Sequence, residues 1–220
     1  MAGFFITLEG VEGAGKSTQA GLLTDCLQAK GLTVLRTREP GGTPLAEAIR
    51  RLLLGPTHVG MEPLAELYLV LAARADHVSR VVLPALKRGE VVVMDRFADA
   101  TLAYQGGGRG LPADLVRELS APAACHLVPH LTFLLDLAPS EGLARIRGRS
   151  RSAGGRRKDR LEEEELAFHE RVRAAYLELA RRDPQRVVVL AGDRSREDLH
   201  QEICHEAAAR LGRTLEPAGN

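Results

Sequence analysis

The chain has 220 residues, enough for one large domain with a sizeable buried core. Hydrophobic residues make up 45% and charged residues 27%, the ordinary balance of a globular protein. A formal net charge of +1 supplies no global field that would draw the chain to nucleic acid or to a membrane surface. No stretch approaches the roughly 18 uninterrupted apolar residues of a membrane span, and no basic leader precedes an apolar core at the N-terminus, so the reading is a cytoplasmic protein bound to neither membrane nor nucleic acid. Only Lys16, Lys30, Lys87 and Lys158 of the 30 basic residues are lysines, and the rest are arginines, which bind phosphate in two-pronged fashion. Cys26, Cys125 and Cys204 are odd in number and far apart, with no metal-ligand spacing. They read as free thiols in a reducing compartment, placed as small buried hydrophobes.

The first predicted element is the strand in "GFFITLEG". It runs directly into "GVEGAGKST", which fits the phosphate-binding pattern G-x-x-x-x-G-K-[ST] and opens a helix over Lys16–Lys30. Glycines at 10, 13 and 15 let successive N–H groups of Gly10, Val11, Glu12, Gly13, Ala14, Gly15, Lys16, Ser17 and Thr18 point into one concavity, an anion nest at a helix N-terminus. Lys16 would reach the β- and γ-phosphates of ATP and Ser17 would ligate Mg²⁺.

"LTVLRT" from Leu32 is the second predicted strand, followed by the turn "TREPGGT" and a helix over Pro44–Leu54. A long helical pattern covers Met61–Arg88. Arg74 lies on its apolar stripe, one turn after Val70, and the spacing alone favours snorkelling to solvent over aim at a ligand. The strand "EVVVMD" ends in Asp95, where a P-loop protein places its second metal-side carboxylate, and Arg96 follows at the sheet edge where open α/β sheets bind ligands. "YQGGGRG" from Tyr104 reads as a glycine-rich loop that brings Tyr104 and Gln105 to the same edge.

Beyond it come helices over Pro112–Cys125, Pro139–Arg149, Leu161–Arg182 and Arg194–Leu211, the strands "HLTFLLDL" and "RVVVLA", and the tail "RTLEPAGN". All five strand runs are apolar at successive positions, as for strands covered on both faces. Strands alternating with helices give a doubly wound α/β domain spanning 1–220, with a five-stranded parallel sheet. The arginine- and glycine-rich stretch at about 145–160 is either a solvated basic loop or a mobile lid that carries arginines to a polyphosphate. It holds no aromatic residue on which bases could stack.

"EGVEGAGKST", "TREPGGT", "AARADHV", "DRF" and "AYQGGGRG", in this order and at these intervals, resemble the bacterial thymidylate kinase family almost end to end, and Asp159–Arg160 before an acidic helix resembles its lid end. The resemblance implies a three-layer P-loop kinase fold, a homodimer packed through helices, and transfer of the ATP γ-phosphoryl group to dTMP with Mg²⁺, giving dTDP and ADP. By position it implies that Glu12 approaches the sugar 3′-hydroxyl, that Glu9 and Asp95 stand near the metal, and that Arg96, with Arg38 close by, contacts the acceptor phosphate. It likewise implies that Arg74 hydrogen-bonds thymine, against the snorkelling expectation, that Tyr104 sits against the deoxyribose, and that Thr101 faces the base. Relatives with a basic residue at the position of Gly13 differ from this chain, so the resemblance points to catalytic arginines from the lid, among Arg149, Arg151, Arg156 and Arg157, with Arg147 nearer the adenine. The chain departs from the family at Val70, where a phenylalanine usually stacks on thymine, and at Ala100 and Leu102, which remove hydrogen-bonding capacity expected beside the base.

Overall fold

The computed structural model describes residues 3–55, 60–152 and 160–212, residues 149–152 by backbone alone. Among them five parallel strands, β1 (Phe4–Glu9), β2 (Val34–Arg38), β3 (Val91–Asp95), β4 (Leu131–Asp136) and β5 (Val187–Ala191), form one sheet in the order β2-β3-β1-β4-β5. The predicted parallel α/β sheet is therefore present. Alternation along each strand divides the core into two layers. Ile6 and Leu8 of β1 and Val91 and Val93 of β3 face helices α1 (Lys16–Ala29), α8 (Leu166–Arg182) and α9 (Arg196–Arg210). Phe5, Val92 and Met94 face the opposite way, with Val78, Val82 and Phe97.

The expectation that all five strands are covered on both faces fails at the edges. β1, β3 and β4 are almost wholly buried, whereas Arg36 and Arg38 of β2 and Val189 and Ala191 of β5 are exposed. An edge strand has a neighbour on one side only, and helices do not reach all of its outer face.

Register aligns the carboxyl ends of the strands. Arg38 pairs with Asp95 across β2 and β3, and Leu8 pairs with Asp95 across β1 and β3. Whatever follows these strands therefore meets at one edge.

Helix α2 (Pro44–Leu54) starts on a Thr43 cap whose hydroxyl accepts from the Ala46 N–H at 3.1 Å. The long pattern over Met61–Arg88 resolves into α3 (Pro63–His77), a π-helical turn over Val78–Val82 and α4 (Leu83–Lys87), one continuous run. "YQGGGRG" is not a loop. Short helix α5 (Ala98–Thr101) passes directly into a π-helical segment, Leu102–Gly108, which contains Tyr104, Gln105 and the glycines. A Cβ on Gly107 would come within 2.5 Å of Ala175 Cβ, and one on Gly108 within 2.5 Å of the Phe168 ring. Those glycines serve the close approach of α8, which wins over their usual preference for turns.

Helices α6 (Ala113–Ala123) and α7 (Pro139–Ser152) complete the chain. Residues 145–152 of the predicted lid continue α7 as helix, and they include Arg147, Arg149 and Arg151. Gly154, Gly155, Arg156 and Arg157 lie outside the described residues. The cysteines are free thiols, as expected, but Cys26 and Cys204 are only half-buried and Cys125 is exposed, against the expectation of burial.

Candidate active site

The residues after β1 turn back sharply enough to expose the backbone nest. Gly13 has φ +77° and Gly15 φ +96°, conformations that only glycine adopts freely. Gly13 also lies so close to α7 that a Cβ there would be 2.2 Å from the Gly142 carbonyl oxygen, and a Cβ on Gly142 would be 2.1 Å from the Glu12 carbonyl oxygen. The nest is thus backed by the first turn of α7. Lys16 is buried and donates to the Val11 carbonyl at 2.8 Å. Burial, helped by the Arg96 charge, lowers its ammonium to about 8. A phosphate in the nest would restore the charge.

Ser17 donates a short hydrogen bond to the Asp95 carboxylate, and both residues line the cavity. A hydroxyl and a carboxylate side by side are hard oxygen donors suited to Mg²⁺. Glu9 lies behind them, wholly buried and off the cavity wall, accepting from the Phe97 N–H at 2.6 Å and the Tyr176 hydroxyl at 2.8 Å. Burial first, and the Asp99 charge second, push its carboxyl up to about 8.

Arg96 follows Asp95 in the left-handed region, φ +70°, an unusual conformation for a long side chain. The twist turns its guanidinium into a half-buried cage on the cavity wall. It donates to the Gly10 carbonyl at 2.9 Å, the Tyr176 hydroxyl at 3.1 Å, the Glu12 carboxylate at 2.7 Å and the Tyr104 hydroxyl at 3.0 Å, with its carbon 4.8 Å from the Tyr104 ring centroid. Partial burial of Glu12 opposes ionisation, but Arg96 and then Lys16 outweigh that and hold its carboxyl down at about 2. One arginine thus joins the nest to the far wall.

That wall is centred on Arg74. Its residue is 1% exposed, so it does not snorkel. Its Nε donates to Glu39 at 2.8 Å, and its Nη2 donates to the Phe97 carbonyl at 3.1 Å and to the Thr101 hydroxyl at 2.8 Å. Nη1 is buried with no hydrogen-bond acceptor among the described residues, and Arg74 lines the cavity. "TREPGGT" is the frame that holds it. Thr37 bonds His77 at 2.8 Å, Glu39 reaches both Arg74 and His77, and Thr43 donates to Asp76 at 2.6 Å. Arg38 lines the cavity too, but its half-exposed guanidinium is paired with Glu47 at 2.9 Å.

The nest and this wall share one cavity of about 520 Å³, the size of a ligand site. Among the predicted residues, Glu12, Gly13, Gly15, Lys16, Ser17, Thr18, Arg38, Val70, Arg74, Asp95, Arg96, Thr101, Tyr104 and Gln105 line it. Ala100 lines it as well, while Leu102 packs away from it, against Leu67, Leu71 and Val116. Leu102 therefore removes nothing from the cavity wall.

Sequence reasoning missed Glu66, Arg50, Phe97 and Tyr176. Glu66 is buried and accepts from Gln105 at 2.8 Å, from Arg109 at 3.2 Å and from Arg160. A signal existed: Glu66, Val70 and Arg74 recur every four residues, so they share one face of α3. Tyr176 gave none, because it continues the apolar stripe of Phe168 and Val172. Arg160, at the predicted lid end, is buried and also donates to the Leu53 carbonyl at 2.9 Å, tying that end of the lid to α2 and α3.

A parallel β2-β3-β1-β4-β5 sheet, a phosphate nest after β1 and an arginine-lined second wall in one cavity define a nucleoside monophosphate kinase of P-loop fold. The family model described as thymidylate kinase matches residues 8–203, and the chain belongs to the thymidylate kinase family. It is 51% identical over 203 residues to the thymidylate kinase of Pseudomonas putida, covering 92% of this chain and 94% of the relative. To the thymidylate kinase of Syntrophotalea carbinolica it is 49% identical, covering 92% of each chain. A crystal structure of thymidylate kinase from Ehrlichia chaffeensis superposes with a TM-score of 0.75 at 31% identity, covering 94% of this chain and 99% of that one.

Proposed function

We infer that the protein transfers the γ-phosphoryl group of ATP to the 5′-phosphate of dTMP, releasing dTDP and ADP. The observation that carries this reading is the single cavity running from the nest at Gly13–Thr18 to Arg74, with Arg96 between. Phosphoryl transfer asks a protein mainly for alignment and for charge stabilisation. The nest and Lys16 hold the donor phosphates, Arg96 with Arg38 holds the acceptor phosphate, and the unsatisfied Nη1 of Arg74 donates to a carbonyl of the base. For Arg96 to do this, the incoming phosphate must take over part of the hydrogen bonding now given to Glu12.

Ser17 and Asp95 would hold Mg²⁺, which neutralises charge on the bridging phosphate oxygens, and Glu9 supports them from the buried layer behind. Tyr104, pinned by Arg96 and Glu12, closes the side of the cavity where a sugar C2′ would lie. The proposal includes a lid at about 145–160 whose Arg149, Arg151, Arg156 or Arg157 meets the transferring group. The tight contact of Gly13 with Gly142 supports this, since it leaves no room for a basic side chain at position 13. A homodimer belongs to the same reading, with exposed Leu64 and Tyr68, one turn apart on α3, offering an apolar patch for it. So does a cytoplasmic location, which suits three free thiols.

The test is ADP release from ATP–Mg²⁺ with dTMP, dUMP, dCMP, dGMP, AMP or no acceptor. Release mainly with dTMP supports the reading. Comparable rates with several monophosphates would mean a looser kinase, and release independent of any acceptor would overturn the transfer.

A further inference from the structure

Helices α1 and α9 lie side by side on the same face of the sheet, joined at their buried edge by Leu23, Leu27, Ile203 and Ala207. Further out along the same seam the apolar contact gives way to two thiols and an imidazole. Cys26 comes from α1, and His200 and Cys204 come from α9, four residues apart and hence on one helix face. Their ligand atoms all lie within 4.8 Å of one another. The Cys204 sulfur is 3.5 Å from both ring nitrogens of His200. All three residues are half-buried, reachable from solvent yet held by two packed helices.

We propose that Cys26, His200 and Cys204 form a binding site for a soft, tetrahedrally coordinated cation of the Zn²⁺ class, which staples α9 to the phosphate-binding helix. Two sulfurs and one imidazole nitrogen are the donor set that prefers such ions over Mg²⁺. With Zn–S of about 2.3 Å and Zn–N of about 2.0–2.1 Å, tetrahedral ligand atoms stand roughly 3.4–3.8 Å apart. Drawing the three groups together by about 1 Å, and turning the imidazole so that one nitrogen faces the sulfurs, meets that geometry. Because all three residues are half-buried, water would supply the fourth ligand. Ser17 and Asp95 do not compete for this ion. They are oxygen donors, and Ser17 is nine residues from Cys26, about 14 Å along α1.

The test uses the full chain with Cys125→Ser as background, kept reduced with a phosphine in excess Mg²⁺ and titrated with Co²⁺ and then Zn²⁺. The expected result is one Co²⁺ per chain, with a thiolate-to-cobalt charge-transfer band and the visible bands of tetrahedral cobalt, both abolished by Zn²⁺. Cys26→Ser and Cys204→Ser each remove most of the charge-transfer band, and His200→Ala weakens binding more than about tenfold while keeping thiolate absorption. Zn²⁺ raises the melting temperature of the parent but not that of either serine variant. Full kinase activity of the variants with Mg²⁺ alone, without added Co²⁺ or Zn²⁺, shows that they are folded. Absence of the charge-transfer band at stoichiometric Co²⁺, or its survival in both serine variants, would overturn the proposal.

Discussion

The two ends of the cavity are made in different ways. The proposed phosphate nest lies within one short stretch of chain, where Glu12, Gly13, Gly15, Lys16, Ser17 and Thr18 line the cavity, and the groups it would offer a phosphate are mostly backbone N–H. The opposite wall is collected from the end of β2, α3, the first residues after β3 and the helical run from Ala98 to Gly108, and its binding groups are side chains. Three of those side chains are aimed by hydrogen-bonded partners: Arg74 by Glu39 and Thr101, Arg96 by Glu12 and Tyr176, Gln105 by Glu66. A nest needs the right turn, whereas a side-chain wall needs distant parts of the chain to arrive together. The first tolerates changes elsewhere in the protein, and the second inherits every packing error around it.

The largest break of this contrast comes from the one side chain the nest depends on. Lys16→Ala is expected to lower kcat by about 10²–10³, the usual cost of losing one preorganised charge, with the fold retained. Near-normal turnover would remove the nest as the donor site. On the other wall, Arg74→Ala is expected to raise the KM for dTMP by about 10–100-fold, the worth of one charged hydrogen bond of roughly 1.5–3 kcal/mol. The KM for ATP should change less than twofold. Equal effects on both substrates would take Arg74 out of the acceptor wall.

A packing variant at a residue that does not itself line the cavity sharpens the same contrast. Gly107→Ala places a Cβ 2.5 Å from Ala175 Cβ and should destabilise the protein by about 1–3 kcal/mol in denaturant unfolding. Because α8 carries Tyr176, it should weaken dTMP binding more than ATP binding. A pH titration asks whether the nest is electrostatically distinct. Lys16 in the free protein has its ammonium lowered to about 8, and bound phosphate favours the protonated form, so binding takes up a proton above that pH. ATP affinity should be level just below about 8 and fall up to about tenfold per pH unit above it, a slope that Lys16→Ala abolishes. The smallest effect is a gain. Val70→Phe adds an aromatic face to the cavity wall and should lower the KM for dTMP about two- to tenfold, the range of a single aromatic contact. An unchanged KM would mean that no base stacks there.

The legible parts of the sequence were those whose physics is local. The apolar β-branched runs read as strands, and the glycine–lysine–hydroxyl order after the first of them read as a nest opening a helix. The place of Arg38, Tyr104 and Gln105 at the cavity was legible because each follows a strand at the carboxyl edge of the sheet, whereas the roles of Arg74 and Thr101 came only with the family resemblance. Local reasoning failed where a long-range contact reverses a local preference. Spacing sent Arg74 to solvent, but Glu39, 35 residues away, gives its charge a buried partner. Three successive glycines read as a loop, but α8 needs their missing side chains to approach closely. Cys26 and Cys204 showed no ligand spacing, because they stand 178 positions apart and the chain between them must fold before the two thiols meet across α1 and α9. The sequence alone determined the parallel sheet, the nest and the donor chemistry, since strand propensity and backbone turns depend on neighbours in the chain. The tertiary structure decided which charges are buried and paired, which glycines pack rather than bend, and which cysteines face each other, because those outcomes depend on groups brought together from distant parts of the chain.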